Sequence, residues 1–252
     1  MTVFTILWKN IKWRFHNKLT IIITLTQPVL WLVLYSTVAG QTLQGTEIGN
    51  YTAFILPGLM VLVSFSVCSS SGIMNYMLKA EGSFYRILIA PVQRTSVILG
   101  QILEGVLCTF LEVGLMGLIS LFFSVRFRTG ISGFCIIFAS DLSDCLFCMS
   151  GICYGISLIL PNEMVYESVM NAIVLPVFFL SSALFPVDRI TGILKILVSG
   201  NPFTHVINSI RSILLGKAVS GRELVLTICL LLLMGGLGFC FAAVRLNRET
   251  DL

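Results

Sequence analysis

The sequence predicts an all-α polytopic membrane protein with six transmembrane helices, in a single domain that takes up residues 1–252. Only 11% of the 252 residues are charged, and the mean hydropathy is +0.96. Apolar runs of about 20 residues recur along the chain, and a helix of that length crosses the hydrocarbon core of a bilayer. Short segments with the period of two that is typical of membrane β-strands are absent from the sequence. The six predicted spans are Leu19–Val38, Phe54–Ile73, Val97–Val125, Ile131–Leu160, Val165–Pro186 and Leu224–Val244.

Residues 1–18 precede the first span and predict an amphipathic helix that lies in the membrane interface. Phe4, Trp8 and Ile11 recur at helical spacing, whereas Lys9 and Lys12 fall on other faces. The alternative is a plain cytoplasmic extension of the first span. The basic residues of this segment favour a cytoplasmic N-terminus, and six spans then return the C-terminus to the cytoplasm.

The connector between spans two and three, residues 74–96, is amphipathic and predicts a short helix on the cytoplasmic side. Phe84, Ile87 and Leu88 form one apolar face, and Pro91 closes the segment. Two uses of this helix remain open. It buries its apolar face against the bundle and does nothing more, or it also presents itself to a soluble partner.

Residues 187–223, between spans five and six, predict a re-entrant outer segment made of two short helices. Apolar runs on either side of Asn201-Pro202 are too short to cross the membrane. Pro202 suits the first turn of the second helix. Arg211 in that helix has two interpretations: it pairs with an acidic group such as Asp188, or it extends outward to the lipid headgroups.

Several carboxylates fall inside the predicted spans, where a charge costs about 2.5–3.5 kcal/mol. Glu104 and Glu112 belong to span three, and Asp141 and Asp144 share one face of span four with Cys148. Packing or a solvated helix end, a cargo or proton path, and a soft-metal site are the three interpretations. We take Glu112, Asp141 and Asp144 as candidates for a cargo path and assign no metal site, since no histidine is near.

The order of these motifs resembles that of the membrane subunits of ABC-2 type exporters. The family pattern of an apolar run that ends in Phe-Pro, followed by Asn-Pro and a downstream arginine, is matched by Phe178–Pro186 and Asn201–Arg211. Glu81–Pro91 is similar to the family's stretch between its second and third spans, and Leu56–Gly58 and Gln27-Pro28 agree as well. The resemblance covers the whole chain and is nearest to exporters of drugs, antibiotics or lipids.

The resemblance implies that two six-span copies, identical or paired homologues, work with a dimer of cytoplasmic ATPase subunits that hold ATP and Mg²⁺. An amphiphilic cargo (drug, antibiotic, lipid or peptide) then leaves between the two membrane subunits. The implied ATPase-coupling residues are Glu81, Gly82, Phe84, Arg86 and Pro91, and the implied re-entrant signature is Pro186, Asn201, Pro202 and Arg211. Ser83–Tyr85 is bulkier and more aromatic than the family pattern, which predicts a more apolar contact with the ATPase.

The chain itself is expected to be neither an enzyme nor the holder of a cofactor. It lacks a G-x-x-x-x-G-K-[ST] phosphate loop, so ATP hydrolysis is assigned to a partner subunit. Nucleic acid is not an expected partner, because the positive charges beyond residue 18 are spread over the connectors. The expected location is the cell membrane.

Two other classes of protein stay as alternatives to the exporter subunit. The first is a self-contained, proton-coupled secondary transporter that uses Glu112, Asp141 and Asp144. Such folds carry two related halves, and we find no internal repeat. The second is a membrane redox enzyme that uses Cys145, Cys148 and Cys153, for which the sequence has no cofactor fingerprint.

Overall fold

The computed structural model describes residues 2–16, 26, 29–34, 37, 51–89, 93–122, 147–184, 191–214 and 221–250, and these contain helices and no strand. The principal helices are α1 (Thr2–His16), α2 (Tyr51–Ala80), α3 (Ser83–Ile89), α4 (Arg94–Phe122), α5 (Phe147–Ser157), α6 (Glu163–Phe179), α7 (Ile193–Gly200), α8 (Pro202–Leu214) and α9 (Gly221–Thr250). The prediction of an all-helical chain is confirmed for these residues.

Two of these helices are long and apolar enough to cross a membrane, namely α2 over Thr52–Ala80 and α4 over Arg94–Ser120. Shorter apolar stretches occupy Phe147–Ser157 in α5 and Leu231–Leu246 in α9. Most of the predicted first span, and residues 131–146 of the predicted fourth, lie outside the described residues. The count of six spans therefore stays a prediction.

Helix α2 is the centre of the bundle, because α3, α4, α6 and α8 all pack against it. Its sequence is apolar on nearly every face, as expected for a helix surrounded by other helices. The side chains of Ile55, Leu59 and Met60 are fully buried there, and so are those of Ile98 and Ile102 on α4.

Glycines allow α5 and α9 to approach each other closely. A Cβ atom on Gly151 would lie 3.2 Å from the carbonyl carbon of Gly238, and one on Gly155 would lie 2.4 Å from the ring of Phe241. Small residues at such spacing let the backbones of membrane helices come into contact. The Gly151-x-x-x-Gly155 pattern is thus a helix-packing contact in this fold.

The predicted fifth span, Val165–Pro186, is wrong at its C-terminal end. Helix α6 begins after Asn162, whose side-chain Oδ1 accepts a hydrogen bond from the Val165 amide at 2.9 Å, and it ends at Phe179. Residues 180–183 form turns although the apolar run continues through them. The hydroxyl of Ser181 bonds the Phe178 carbonyl at 2.6 Å, so a side chain competes with the backbone for this helical bond.

The two short helices predicted on either side of Asn201-Pro202 are present as α7 and α8. Pro202 is the first residue of α8, where its missing N–H leaves no helical bond unmade. The position of these helices relative to a membrane surface stays a prediction.

Candidate functional site

The connector between the two long apolar helices is built around a glycine. Gly82 has a φ of +70°, in the left-handed region that favours glycine, and no atom within 4 Å would meet a Cβ there. Its amide donates to the carbonyl of Lys79 at 3.1 Å, which ends α2, and α3 begins at Ser83. Backbone conformation therefore requires a glycine at this turn.

Helix α3 has one buried face and one exposed face. Phe84 is 2% exposed, packs into the core of the bundle and has the Lys79 ammonium 5.2 Å above its ring. Tyr85 and Ile89, one helical turn apart, are 58% and 85% exposed. Phe84 and Ile87 of the predicted apolar face both pack on the bundle.

The charged residues of the predicted coupling region lie at its surface. The side chains of Glu81 and Arg86 are exposed, and Pro91 lies outside the described residues. Helix α1 passes close to this turn. Partial burial lowers the pKa of Lys9, and the nearby Glu81 carboxylate opposes that change.

Helix α1 lies against α4 through a face that the sequence analysis did not identify. A Cβ atom on Gly100 would lie 2.8 Å from Ile6, so the glycine lets the two helices touch. Asn10 is buried and Arg14 is partly buried, one and two turns further along the same face as Ile6. Phe4 and Trp8 are exposed, as an interfacial helix requires of its apolar face.

Six polar side chains join α1, α2 and α4, and we call this group the polar junction. Its members are Asn10, Arg14, Ser70, Ser71, Gln101 and Glu104. One Nη atom of Arg14 lies 2.8 Å from Oε1 of Glu104, and the other donates to the Ser70 hydroxyl. The Ser71 hydroxyl donates to Oε2 of Glu104 at 2.6 Å.

A second layer of the polar junction repeats the same connection. The Asn10 amide donates to Oε1 of Gln101 at 2.9 Å, and the Gln101 amide donates to the Ser71 carbonyl at 2.9 Å. In the first layer Glu104 is only 1% exposed, so its carboxylate is stabilised by Arg14 and the Ser71 hydroxyl rather than by water. Each layer thus connects one residue of α1 and one of α4 to the Ser70–Ser71 segment of α2.

Arg211 of α8, a member of the predicted re-entrant signature, is a buried cation. It is 9% exposed and stacks on the Phe54 ring with 3.7 Å between the guanidinium carbon and the ring centroid. Its nitrogens donate to the carbonyls of Phe54 at 3.1 Å and Ser182 at 2.6 Å, and to Oδ1 of Asn208 at 3.2 Å. The buried side chain does not extend outward to headgroups, and Asp188 lies outside the described residues.

Asn201 also donates hydrogen bonds to backbone carbonyls, at the end of α6. Its side-chain amide donates to the carbonyls of Val177 at 2.8 Å and Leu180 at 2.9 Å, which no longer have helical partners. Its Oδ1 accepts from the Phe203 amide at 3.0 Å at the start of α8. Asn201 and Arg211 together hold α8 on the interrupted end of α6. Pro186 lies outside the described residues.

Of the three carboxylates assigned to a cargo path, only Glu112 lies in the described part of the chain. It is on α4, two turns beyond Glu104 on the same face, and its Oε2 atom is buried without a hydrogen-bond partner among the described residues. Asp141 and Asp144 lie outside those residues, so the structure does not bring the three together.

Comparison with known proteins agrees with this architecture. The family model described as "ABC-2 type transporter" matches residues 1–215. The chain belongs to the ABC-2 type transporter family. That match takes in α1, the connector helix, the polar junction and Arg211.

Curated relatives of this ABC-2 type transporter carry the name "Putative transport permease ycf38". The protein from Cyanophora paradoxa is 27% identical over 203 residues, which cover 78% of this chain and 68% of the relative. The protein from Porphyra purpurea is 26% identical over 204 residues, covering 80% and 69%. Family membership makes this chain a membrane component of a transporter, and members of the family pair with ABC ATPases.

Proposed function

We propose that the chain is the membrane subunit of an ATP-driven exporter. Two copies, identical or paired homologues, form the path for an amphiphilic cargo such as a drug, antibiotic, lipid or peptide. A separate cytoplasmic pair of ABC ATPase subunits binds ATP and Mg²⁺ and drives the cycle. Membership of the ABC-2 family supports the pairing, and the lack of a phosphate loop in this sequence assigns hydrolysis to the partner.

The observation that carries this proposal is the two-sided connector helix α3. Phe84 fixes its inner face to α2, while Tyr85 and Ile89 project from its outer face. An aromatic and an aliphatic side chain one turn apart are typical anchors for a groove on a partner protein. With both termini in the cytoplasm of a cell-membrane protein, α3 faces the compartment that holds the ATPase.

The exposed charges beside α3 extend the proposed contact. Glu81 and Arg86 are exposed near Tyr85 and give the surface both signs of charge. Charged groups at the rim of an apolar contact act mainly on specificity and association rate. We therefore propose that Tyr85 and Ile89 provide most of the binding energy of this contact. Glu81 and Arg86 form its charged rim, and Phe84 anchors the helix to the bundle.

The cargo path is proposed to pass Glu112. A buried carboxylate oxygen without a hydrogen-bond partner costs free energy, and membrane proteins retain such groups where they line a path for a polar or charged group. The re-entrant pair α7 and α8, held by Asn201 and Arg211, would then form the outer end of the path. Asp141 and Asp144 remain proposed members.

Replacing Tyr85 and Ile89 together by serine is expected to lower recovery of the ATPase by about tenfold or more, because interface anchors typically contribute 2 kcal/mol or more each. The measurement is purification of the tagged chain from its native membrane in mild detergent, followed by assay of ATP hydrolysis in the eluate. The buried core is untouched, so the amount of chain recovered should not change.

The matched control replaces Met164 and Val165 by serine, two exposed apolar residues at the start of α6. This variant should keep the ATPase. Equal loss of ATP hydrolysis from both variants would show that α3 has no special role, and retention by the Tyr85 and Ile89 variant would overturn the assignment.

A further inference from the structure

We infer that Arg14 and Glu104 are positioning residues through which a movement of α3 reaches the rest of the bundle. This inference rests on the proposed function, since it takes α3 as the point where the ATPase acts. It adds that α1, α2 and α4 move as one unit because the polar junction joins them inside the bundle.

The position of the junction supports this role. Glu104 lies about 15 Å along α4 from its first residue, at a rise of 1.5 Å per residue. Helix α3 connects the end of α2 to the start of α4, so a force on α3 acts on both of these helices. The hydrogen bonds of the polar junction connect α2 and α4 at the level of Glu104. The two helices therefore move together and do not separate near their ends.

The chemistry of the junction suits a rigid connection rather than a sliding one. Arg14 binds α4 through Glu104 and α2 through Ser70 with separate nitrogens, and Ser71 of α2 binds both Glu104 and Gln101. A buried network in which every member has a partner fixes one arrangement, because any displacement leaves a charge unpaired. Apolar contacts alone would let α1 slide along α4.

Helix α1 adds a second connection between the junction and the proposed ATPase side. Its face with Ile6, Asn10 and Arg14 is docked on α4, and Lys9 on another face interacts electrostatically with Glu81 at the start of the α3 turn. One helix thus carries both the ion pair with the buried carboxylate and a lysine that interacts with the charge at the α3 turn. The sequence pattern alone assigned this helix to the membrane interface.

The test compares stability with long-range motion in a double variant. Arg14→Met or Glu104→Gln alone leaves a buried charge without its partner and should lower the thermal midpoint. Arg14→Met with Glu104→Gln removes both charges and should recover most of that loss. If the pair only stabilises the fold, the double variant should respond to ATP as the unmodified protein does. If the pair positions the helices, the double variant should be stable but its response to ATP should stay reduced.

The readout is amide hydrogen exchange of the chain purified with its ATPase, with and without added ATP and Mg²⁺, which needs no knowledge of the cargo. In the unmodified complex, ATP should change exchange in both α3 and α8. In the double variant the change in α3 should persist, and the change in α8 should fall about fivefold or more. An unreduced change in α8 in a folded double variant would overturn the inference.

Two further results distinguish a failure of this inference from a failure of the proposed function. No ATP-dependent change in α3 of the unmodified complex would contradict the exporter proposal itself. Should the double variant fail to fold, Ser70→Ala with Ser71→Ala removes the hydroxyl links of α2 to Arg14, Glu104 and Gln101 and decides the question by the same readout. A normal α8 response in that serine variant would overturn the inference.

Discussion

Replacing Arg211 by methionine is expected to lower the free energy of unfolding by about 3 kcal/mol. The guanidinium donates to the carbonyls of Phe54 and Ser182 and to the side chain of Asn208. Methionine fills a similar volume but donates no hydrogen bond, so buried acceptors near the start of α2 and in the turn after α6 each lose a donor. The measurement is unfolding of the purified chain in detergent, followed by intrinsic fluorescence.

Two variants define the cause of that loss. Arg211→Lys keeps the charge, but a single ammonium group cannot reproduce the fork of the guanidinium, so it should recover less than half of the lost stability. Arg86→Met removes an exposed arginine from α3 and should change stability by no more than about 0.5 kcal/mol. Normal unfolding of Arg211→Met would contradict the assignment of Arg211 as the residue that holds α8.

Replacing Gly58 by alanine is the second large effect, with an expected loss of about 2–3 kcal/mol. A Cβ atom at this position would lie 2.6 Å from the Cβ and 2.8 Å from the Cα of Ala183, so backbone must move. Ala183 belongs to the turn after α6 whose carbonyls Arg211 binds. The substitution should therefore open the contact between α2 and this turn.

The control for that substitution is Gly114→Ala on α4. Among the described residues no atom lies within 4 Å of a Cβ built there, so alanine should stabilise the helix by up to about 1 kcal/mol through its higher helix propensity. The measurement is the same unfolding experiment for both variants. A stable Gly58→Ala protein would show that α2 and the turn are further apart than described.

Local backbone chemistry is the part of this fold that the sequence predicts well. The break between α7 and α8 follows from Pro202, which lacks an N–H, and from Asn201, which caps a helix end. The separation of α2 from α3 follows from Gly82, which has a positive φ. Each feature depends on neighbours within a few residues, so a single sequence is sufficient.

Contacts between helices are the part that the sequence could not predict. The apolar run of the predicted fifth span continues to Pro186, but α6 ends at Phe179 because Arg211 and Asn201, more than 20 residues away, bind the freed carbonyls. Without them those carbonyls would be buried and unpaired, and a longer helix would be favoured.

The polar junction was missed for the same reason. Arg14 is one of several basic residues in the first 18, and basic residues there indicate a cytoplasmic terminus. Glu104 is one of several carboxylates in the predicted spans. Their pairing becomes visible only when α1 is known to lie on α4, with Ile6 against Gly100. Asn10 and Arg14 at i and i+4, together with Gln101 and Glu104 at i and i+3, are the signal that two polar helix faces require each other.

The central claim is that the exposed face of α3 contacts an ABC ATPase, and site-specific photo-cross-linking tests it most directly. A photoreactive amino acid in place of Ile89, activated in native membranes, is predicted to give an adduct with a protein that contains a phosphate-loop ATPase domain. The same amino acid in place of Leu232, an exposed residue of the apolar α9, should give lipid adducts only. Adducts at Ile89 with lipid alone, matching those at Leu232, would contradict the account.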